Sequence, residues 1–257
     1  MKRKHGIAWT EDTWNPSTGC DRVSPGCDNC YALNLAERLK LMGNPKYQND
    51  GEPPRSGPGF KFTIHPDALD LPRRWQRPRF VFVNSMSDLF HEDMPDGFLQ
   101  AVFDTMNETP QHTYQILTKR SQRLRKLAPD LNWTSNIWMG VSVENQKFSF
   151  RARHLSETEG PVLRFLSVEP LIGPVDDLPL DRIDWVIVGA ESGHRARVMD
   201  HDWVRSVRDQ CLAHPHRPAF FYKQDAVGGR KIELPTLDGQ TWDEMPERVS
   251  PFRESLL

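Results

Sequence analysis

Three cysteines, Cys20, Cys27 and Cys30, stand close together near the start of the chain, spaced C-x6-C-x2-C. They lie in a polar stretch punctuated by Pro16, Gly19, Pro25 and Gly26, and the remaining cysteine is Cys211. Soft thiolates gathered on one loop are the ligand set of a zinc ion or an iron–sulfur cluster. Three of them leave one coordination position for something that is not this protein. A structural zinc site would need a fourth ligand such as His5 or His65, and only Cys27-x2-Cys30 makes a knuckle. Redox or buried thiols without metal fit poorly with so short and polar a loop. The third reading is a cluster bound through three irons with the fourth iron open. It is favoured because a helical pattern starts at Tyr31, directly after the last cysteine.

The elements that must position this loop follow from the apolar runs. Residues 79–84, 113–118, 137–143, 162–168, 184–190 and 219–223 read as strands. Several are apolar without alternation, as strands buried on both faces are. Helical patterns occupy 32–42, 96–107, 121–127, 146–154 and 203–213, the last making Cys211 a small core residue. Repeated strand–helix order predicts parallel βαβ units. The expected fold is α/β, a partial or complete (β/α) TIM-like barrel, with a doubly wound sheet as second choice. A single domain is expected over residues 1–257, interrupted by a Pro/Gly-rich insertion at about 43–71 that is read as a long loop or lid. The chain after Gly228-Gly229 reads as an extended surface segment.

Each apolar run ends in polar or small residues. These are Asn84-Ser85-Met86-Ser87-Asp88, Thr118-Lys119-Arg120, Ser142-Val143-Glu144, Ser167-Val168-Glu169, Gly189-Ala190-Glu191 and Lys223-Gln224-Asp225. In a parallel α/β fold the carboxyl ends of the strands share one face, and ligands bind there. Helix capping accounts for single members of this set. It does not account for Glu144, Glu169 and Glu191 recurring after three separate strands.

Composition narrows the partners. The 257 residues carry a formal charge of −2, so no polyanion or membrane surface is demanded. Mean hydropathy is −0.63, and no apolar run approaches the ~20 residues that span a bilayer. The basic N-terminus has no apolar core of a signal peptide. Clustered unpaired thiols belong in a reducing cytoplasm. Two basic stretches, at 73–79 and 119–126, support a competing reading: a zinc-stabilised nucleic-acid-binding module without catalysis.

Trp14-Asn15-Pro16-x-x-Gly19-Cys20 followed by Ser24-Pro25-Gly26-Cys27-x-x-Cys30-Tyr31-Ala32 resembles the signature of a phage- and bacteria-associated three-cysteine-motif family of undefined function. The stretches 84–90, 117–120, 140–144 and 167–171 resemble it too, so the likeness runs from about Trp9 to about Gln224. More distantly, the chain is similar to radical S-adenosylmethionine enzymes. It departs from them in the six-residue first gap, in Asn29 where an aromatic usually precedes the last cysteine, and in lacking Gly-Gly-Glu after the second strand. That resemblance implies a [4Fe–4S] cluster on Cys20, Cys27 and Cys30, with S-adenosylmethionine chelated to the open iron. It implies that Asn84, Ser85, Ser87 and Asp88 approach the methionine moiety, and that Ser142 and Glu144 meet ribose or carboxylate. Gly189, Glu191 and Gly193 would admit the adenine. Lys119, Arg120 and Lys223 would hold an anionic substrate group, with Lys119, Glu169 and Lys223 as catalytic candidates. It further implies an external electron donor such as flavodoxin or ferredoxin. The outcome is either hydrogen abstraction through a 5′-deoxyadenosyl radical or transfer of a 3-amino-3-carboxypropyl group. The substrate, a small molecule or a nucleotide or nucleic acid, stays open.

Overall fold

The computed structural model describes residues 8–193, 195–227 and 230–246. Twelve strands appear in chain order: β1 (Asp12–Trp14), β2 (Ser17–Thr18), β3 (Thr63–Ile64), β4 (Phe80–Val83), β5 (Thr113–Thr118), β6 (Ile137–Ser142), β7 (Leu163–Val168), β8 (Trp185–Gly189), β9 (Ala219–Val227), β10 (Arg230–Glu233), β11 (Thr236–Leu237) and β12 (Gln240–Thr241). Five α-helices join them: α1 (Tyr31–Leu41), α2 (Asp96–Glu108), α3 (Ser121–Leu127), α4 (Phe150–Ser156) and α5 (His201–Ala213). None of the described helices is long and apolar enough to cross a membrane.

The main sheet has the order β1-β4-β5-β6-β7-β8-β9-β10. Its first seven strands are parallel and follow one another in chain order, while β10 returns antiparallel to β9. Strands laid down in sequence with helices between them curl the sheet into a half-barrel. It stays open, because among the described residues β1 and β10 are its two edges. The expected TIM-like α/β architecture is therefore present in partial form.

Alternation along the strands sorts two apolar layers. Val81, Ile116, Val141, Leu166, Val168, Val186 and Val188 join the core shared with the helices. Phe82, Trp138, Phe165, Trp185, Ile187 and Phe221 fall in a separate cluster on the concave face, with Trp9. Both faces are apolar, so the alternation is invisible in the sequence. The concave rings meet edge-on or tilted, with Trp9 4.9 Å from Phe82, 6.0 Å from Phe165 and 6.1 Å from Trp185. They plug the half-barrel, and the next inward positions along the strands are polar: Asn84, Lys119, Ser142, Ser167 and Lys223. Helices contribute apolar stripes at the expected period, such as Leu99, Val102, Phe103 and Met106 on α2. Cys211 is buried on α5 with Val204 and Val207, as the periodicity predicts.

The structure adds to the sequence reading in three places. β1, only three residues long, carries too little pattern to be read, yet Trp14 is fully buried and its Nε1 donates to Ala68 O at 2.8 Å. The insertion at 43–71 is less a lid than a brace. Cys20 N donates to Phe60 O at 3.2 Å, Arg22 N donates to Arg55 O at 2.7 Å, and the Ser56 hydroxyl sits 2.9 Å from Cys20 O. The segment after Gly229 is extended and mostly exposed over 230–246, as expected, but it is tied to the sheet. Leu237 is buried, Trp242 meets Phe220 edge-on, and Trp185 Nε1 donates to Glu244 O at 2.9 Å. Isolated apolar residues in a polar stretch gave no period from which to see this.

The aromatic plug yields the first prediction. A Cβ on Gly140 would stand 2.4 Å from the Phe165 ring, which is wedged against Trp9 and Trp185. Gly140→Ala should therefore destabilise the protein by about 1–3 kcal/mol through overpacking, read as a lowered urea midpoint.

Candidate active site

A cavity of about 240 Å³ opens at the carboxyl ends of the parallel strands, above the aromatic plug. Cys20, Cys27 and Cys30 all line it, as do Asn84, Ser85, Ser87, Asp88, Lys119, Arg120, Ser142, Glu169, Glu191 and Lys223. Glu144, Gly189 and Gly193, expected at the same place, do not line it. The cysteine loop connects β2 to α1 and lies over the mouth. Gly19 pins its start: Gly19 N donates to Met86 O at 2.9 Å, its φ is +82°, and a Cβ there would meet Lys61 O at 2.1 Å. Only glycine fits that position.

Carboxylates at the ends of alternate strands hold this loop. After β4, Asp88 takes the Thr118 hydroxyl at 2.7 Å, Phe90 N at 2.9 Å, Lys119 N at 3.2 Å and Arg120 NH1 at 3.1 Å. Arg120 in turn donates to Cys20 Sγ at 3.3 Å and to Asp21 O at 3.2 Å. After β6, the wholly buried Glu144 accepts from the Ser24 hydroxyl at 2.5 Å, Gly26 N at 3.2 Å and Arg151 NH1 at 3.3 Å. After β8, Glu191 accepts from Asn29 Nδ2 and Arg197 N, both at 2.9 Å, and Arg197 also donates to Pro25 O at 2.8 Å. A Cβ on Gly26 would lie 2.6 Å from the Glu144 carboxyl carbon, so the loop packs against that carboxylate through bare backbone.

These contacts revise several sequence assignments. Glu144 is a loop anchor, not a cofactor contact, because its oxygens are spent beneath the loop. Arg120 faces Cys20 and Asp88, so it is not available to an anionic substrate. Asp88 and Glu191 reach the cavity wall with their acceptors already engaged. Gly189 works by absence: a Cβ there would stand 2.2 Å from Glu169 Oε1. That gap lets Glu169, after β7, reach across β8 to Lys223 Nζ on β9 at 2.9 Å. Ser167 donates to the other Glu169 oxygen at 3.0 Å. Among the described residues, the carboxylate paired with Lys119 Nζ is a distant one, Glu144 Oε1 at 3.9 Å. Ser142 and Ser167 are register partners on β6 and β7 and both line the cavity.

Asn84 stands apart from this satisfied network. It is buried at the end of β4 with φ +61°, a left-handed conformation that asparagine tolerates. Its Nδ2 donates to Ser17 Oγ at 2.9 Å, and its Oδ1 has no hydrogen-bond partner. Ser85 and Ser87 are engaged with Asn15 and Ser17. Sequence reasoning missed Ser17, Asn15, Ser24, Asn29 and Arg197. Asn15 and Ser24 lie within the cysteine motif, which is the one signal that pointed to them.

Burial raises the Cys20 thiol to about 12 against the opposing field of Arg120, and burial likewise pushes Cys30 upward. Buried thiols of this kind become thiolates when cationic metal sits beside them. Among the described residues no three His, Cys, Asp or Glu side chains converge on a point that would suit one metal ion. Three thiols of one loop that all line the cavity are, in their chemistry, the donor set of an iron–sulfur cluster. His65 does not line the cavity with the cysteines, and its Nε2 lies 2.9 Å from Thr18 Oγ1; His5 lies outside the described residues.

The fold and site define an open (β/α) half-barrel with a cysteine loop anchored across its mouth. The chain belongs to the family described as Protein of unknown function (DUF5131), whose model matches residues 4–246. No curated protein matches the sequence. Among solved structures it is similar to a spore photoproduct lyase carrying a cysteine-to-serine substitution, with TM-score 0.47 and 13% identity over 84% of this chain and 65% of that one. It is also similar to a spore photoproduct lyase with bound AdoMet and dinucleoside spore photoproduct, with TM-score 0.43 and 13% identity over 81% of this chain and 63% of that one. The chain thus spans just under two thirds of the length of these lyases.

Two predictions follow from the anchors. Glu144→Ala would leave the Arg151 guanidinium buried without its carboxylate, and should lower unfolding free energy by about 3–5 kcal/mol in urea titrations at neutral pH. For Glu191, burial opposes ionisation, but hydrogen bonds from Arg197 and Asn29 outweigh it and hold the carboxyl below its ordinary value. Stability from this group is complete above the unfolded pKa of about 4.3 and is lost as pH falls through the lower folded value. The stability gap between wild type and Glu191→Gln should therefore be widest near neutrality and close on acidification.

Proposed function

We propose that this protein is an iron–sulfur enzyme of the radical S-adenosylmethionine type. The observation that carries the reading is that Cys20, Cys27 and Cys30 all line one cavity at the carboxyl ends of seven parallel strands. The cysteines would hold a [4Fe–4S] cluster. When bound, the cluster supplies the electron, drawn from an external donor of the flavodoxin or ferredoxin class, that cleaves S-adenosylmethionine.

This chain's own residues prepare the site for that cofactor. Asn84 presents a fixed, unengaged acceptor suited to the ammonium group of the methionine moiety. Ser85, Ser87 and Asp88 shape the wall beside it, and Ser142 and Ser167 offer hydroxyls further round the mouth. Of the cations lining the cavity, Lys119 has a more distant carboxylate than Arg120 or Lys223, and would meet a carboxylate or other anionic group. Glu169 and Lys223 form a held acid–base pair at the opposite wall, positioned to move a proton or grip a polar substrate. The aromatic floor closes the cavity from below.

Anaerobic reconstitution with iron and sulfide tests the proposal. The wild type should turn brown with about four irons per chain, as [4Fe–4S] stoichiometry requires. Cys20→Ala, Cys27→Ala and Cys30→Ala should each lose the colour, and Cys211→Ala should keep it. With S-adenosylmethionine and dithionite, 5′-deoxyadenosine would identify hydrogen abstraction, and methylthioadenosine would identify aminocarboxypropyl transfer. A colourless protein with stoichiometric zinc, or a loaded cluster that leaves S-adenosylmethionine intact, refutes the reading.

A further inference from the structure

We propose that Arg120 is a positioning residue that sets the reduction potential of the cluster, with Asp88 as its counterweight; this rests on the cluster reading above. Among the described residues, Arg120 is the one charged side chain that donates a hydrogen bond to any of the three sulfurs, reaching Cys20 Sγ at 3.3 Å. Its guanidinium is fixed at two further points, Asp88 Oδ2 at 3.1 Å and Asp21 O at 3.2 Å, so the N–H cannot swing away from sulfur. The side chains of Arg120 and Asp88 are 11% and 8% exposed. Cys20 and Cys30 pack against Phe60, Met86, Ala32, Ala36 and Tyr47. Water therefore screens this corner weakly, and a directed N–H dipole counts for more there than at the surface.

The sign follows from elementary electrostatics. When the cluster accepts one electron its sulfurs become more negative, and an N–H donor stabilises that state more than the oxidised one. The potential rises accordingly. The Asp88 carboxylate, bonded to the same guanidinium nitrogen that reaches the sulfur, works against it. The two side chains thus push the potential in opposite directions, although both contribute to holding the same loop.

The opposition makes the idea testable apart from any structural role. The full chain is reconstituted, iron per chain is matched, and the midpoint is read by electron paramagnetic resonance during titration with dithionite as the one-electron donor. No bond forms or breaks in this measurement. Arg120→Met should move the midpoint to more negative values and Asp88→Asn to more positive ones. Arg120→Lys, which keeps the charge and loses the fork, should fall between Arg120→Met and wild type, and it supplies the sign if Arg120→Met does not fold. Equal midpoints in wild type and the Arg120 variants overturn the proposal. So do shifts of the same sign in the Arg120 and Asp88 variants, or folded variants that no longer retain iron. A wild-type chain that takes up no cluster fails at the earlier step and refutes the parent reading instead.

Discussion

Everything at the mouth of the half-barrel depends on one buried carboxylate. Glu144 sits at the end of a central strand with no exposed surface, and it gathers a backbone N–H, a hydroxyl and a guanidinium. An ionised group so deeply placed is strongly unfavourable without such partners. The demand is mutual: the carboxylate needs the loop's donors, and the loop, which is short and largely irregular, needs a fixed point. Gly26 is what allows them to meet at contact distance. Cys27 follows it directly, so its location is set by electrostatics before any metal is considered.

The same logic repeats around the rim with a division of labour between alternate strands. Ends of β4, β6 and β8 supply Asp88, Glu144 and Glu191, whose charges are consumed by Arg120, Arg151 and Arg197 in fixing the loop. The ends of β5 and β7 and the middle of β9 supply Lys119, Glu169 and Lys223, which stay turned to the cavity. The first group builds the entrance and the second equips the interior. The bidentate reach of arginine suits the first task, because one guanidinium can join a carboxylate to a loop carbonyl or a sulfur.

How much of this could be read from the chain depends on range. All six strands expected from apolar runs exist, because an unbroken apolar stretch has few alternatives inside a parallel sheet. Which residues face the concave side was hidden, since Val81 and Phe82, or Leu166 and Phe165, are equally apolar and only the paired sheet separates them. The position of a polar residue at a strand end correctly placed it at the rim. It could not say whether the side chain turned inward, as with Glu169, or beneath the loop, as with Glu144. That choice is made by Gly26 and Ser24, more than a hundred residues away. Arg197 carried no local signature at all; its role is defined by Pro25 and Glu191 in the folded chain.

The ring-filled base of the half-barrel has a kinetic corollary. With Trp9, Phe82, Phe165, Trp185 and Phe221 packed together there, the vestibule above them is a cul-de-sac. Among the described residues, whatever occupies it would come and go on the side of the strand ends, beside the anchored loop. If the proposed chemistry runs there, a product would have to back out the way its substrate came before the next could settle.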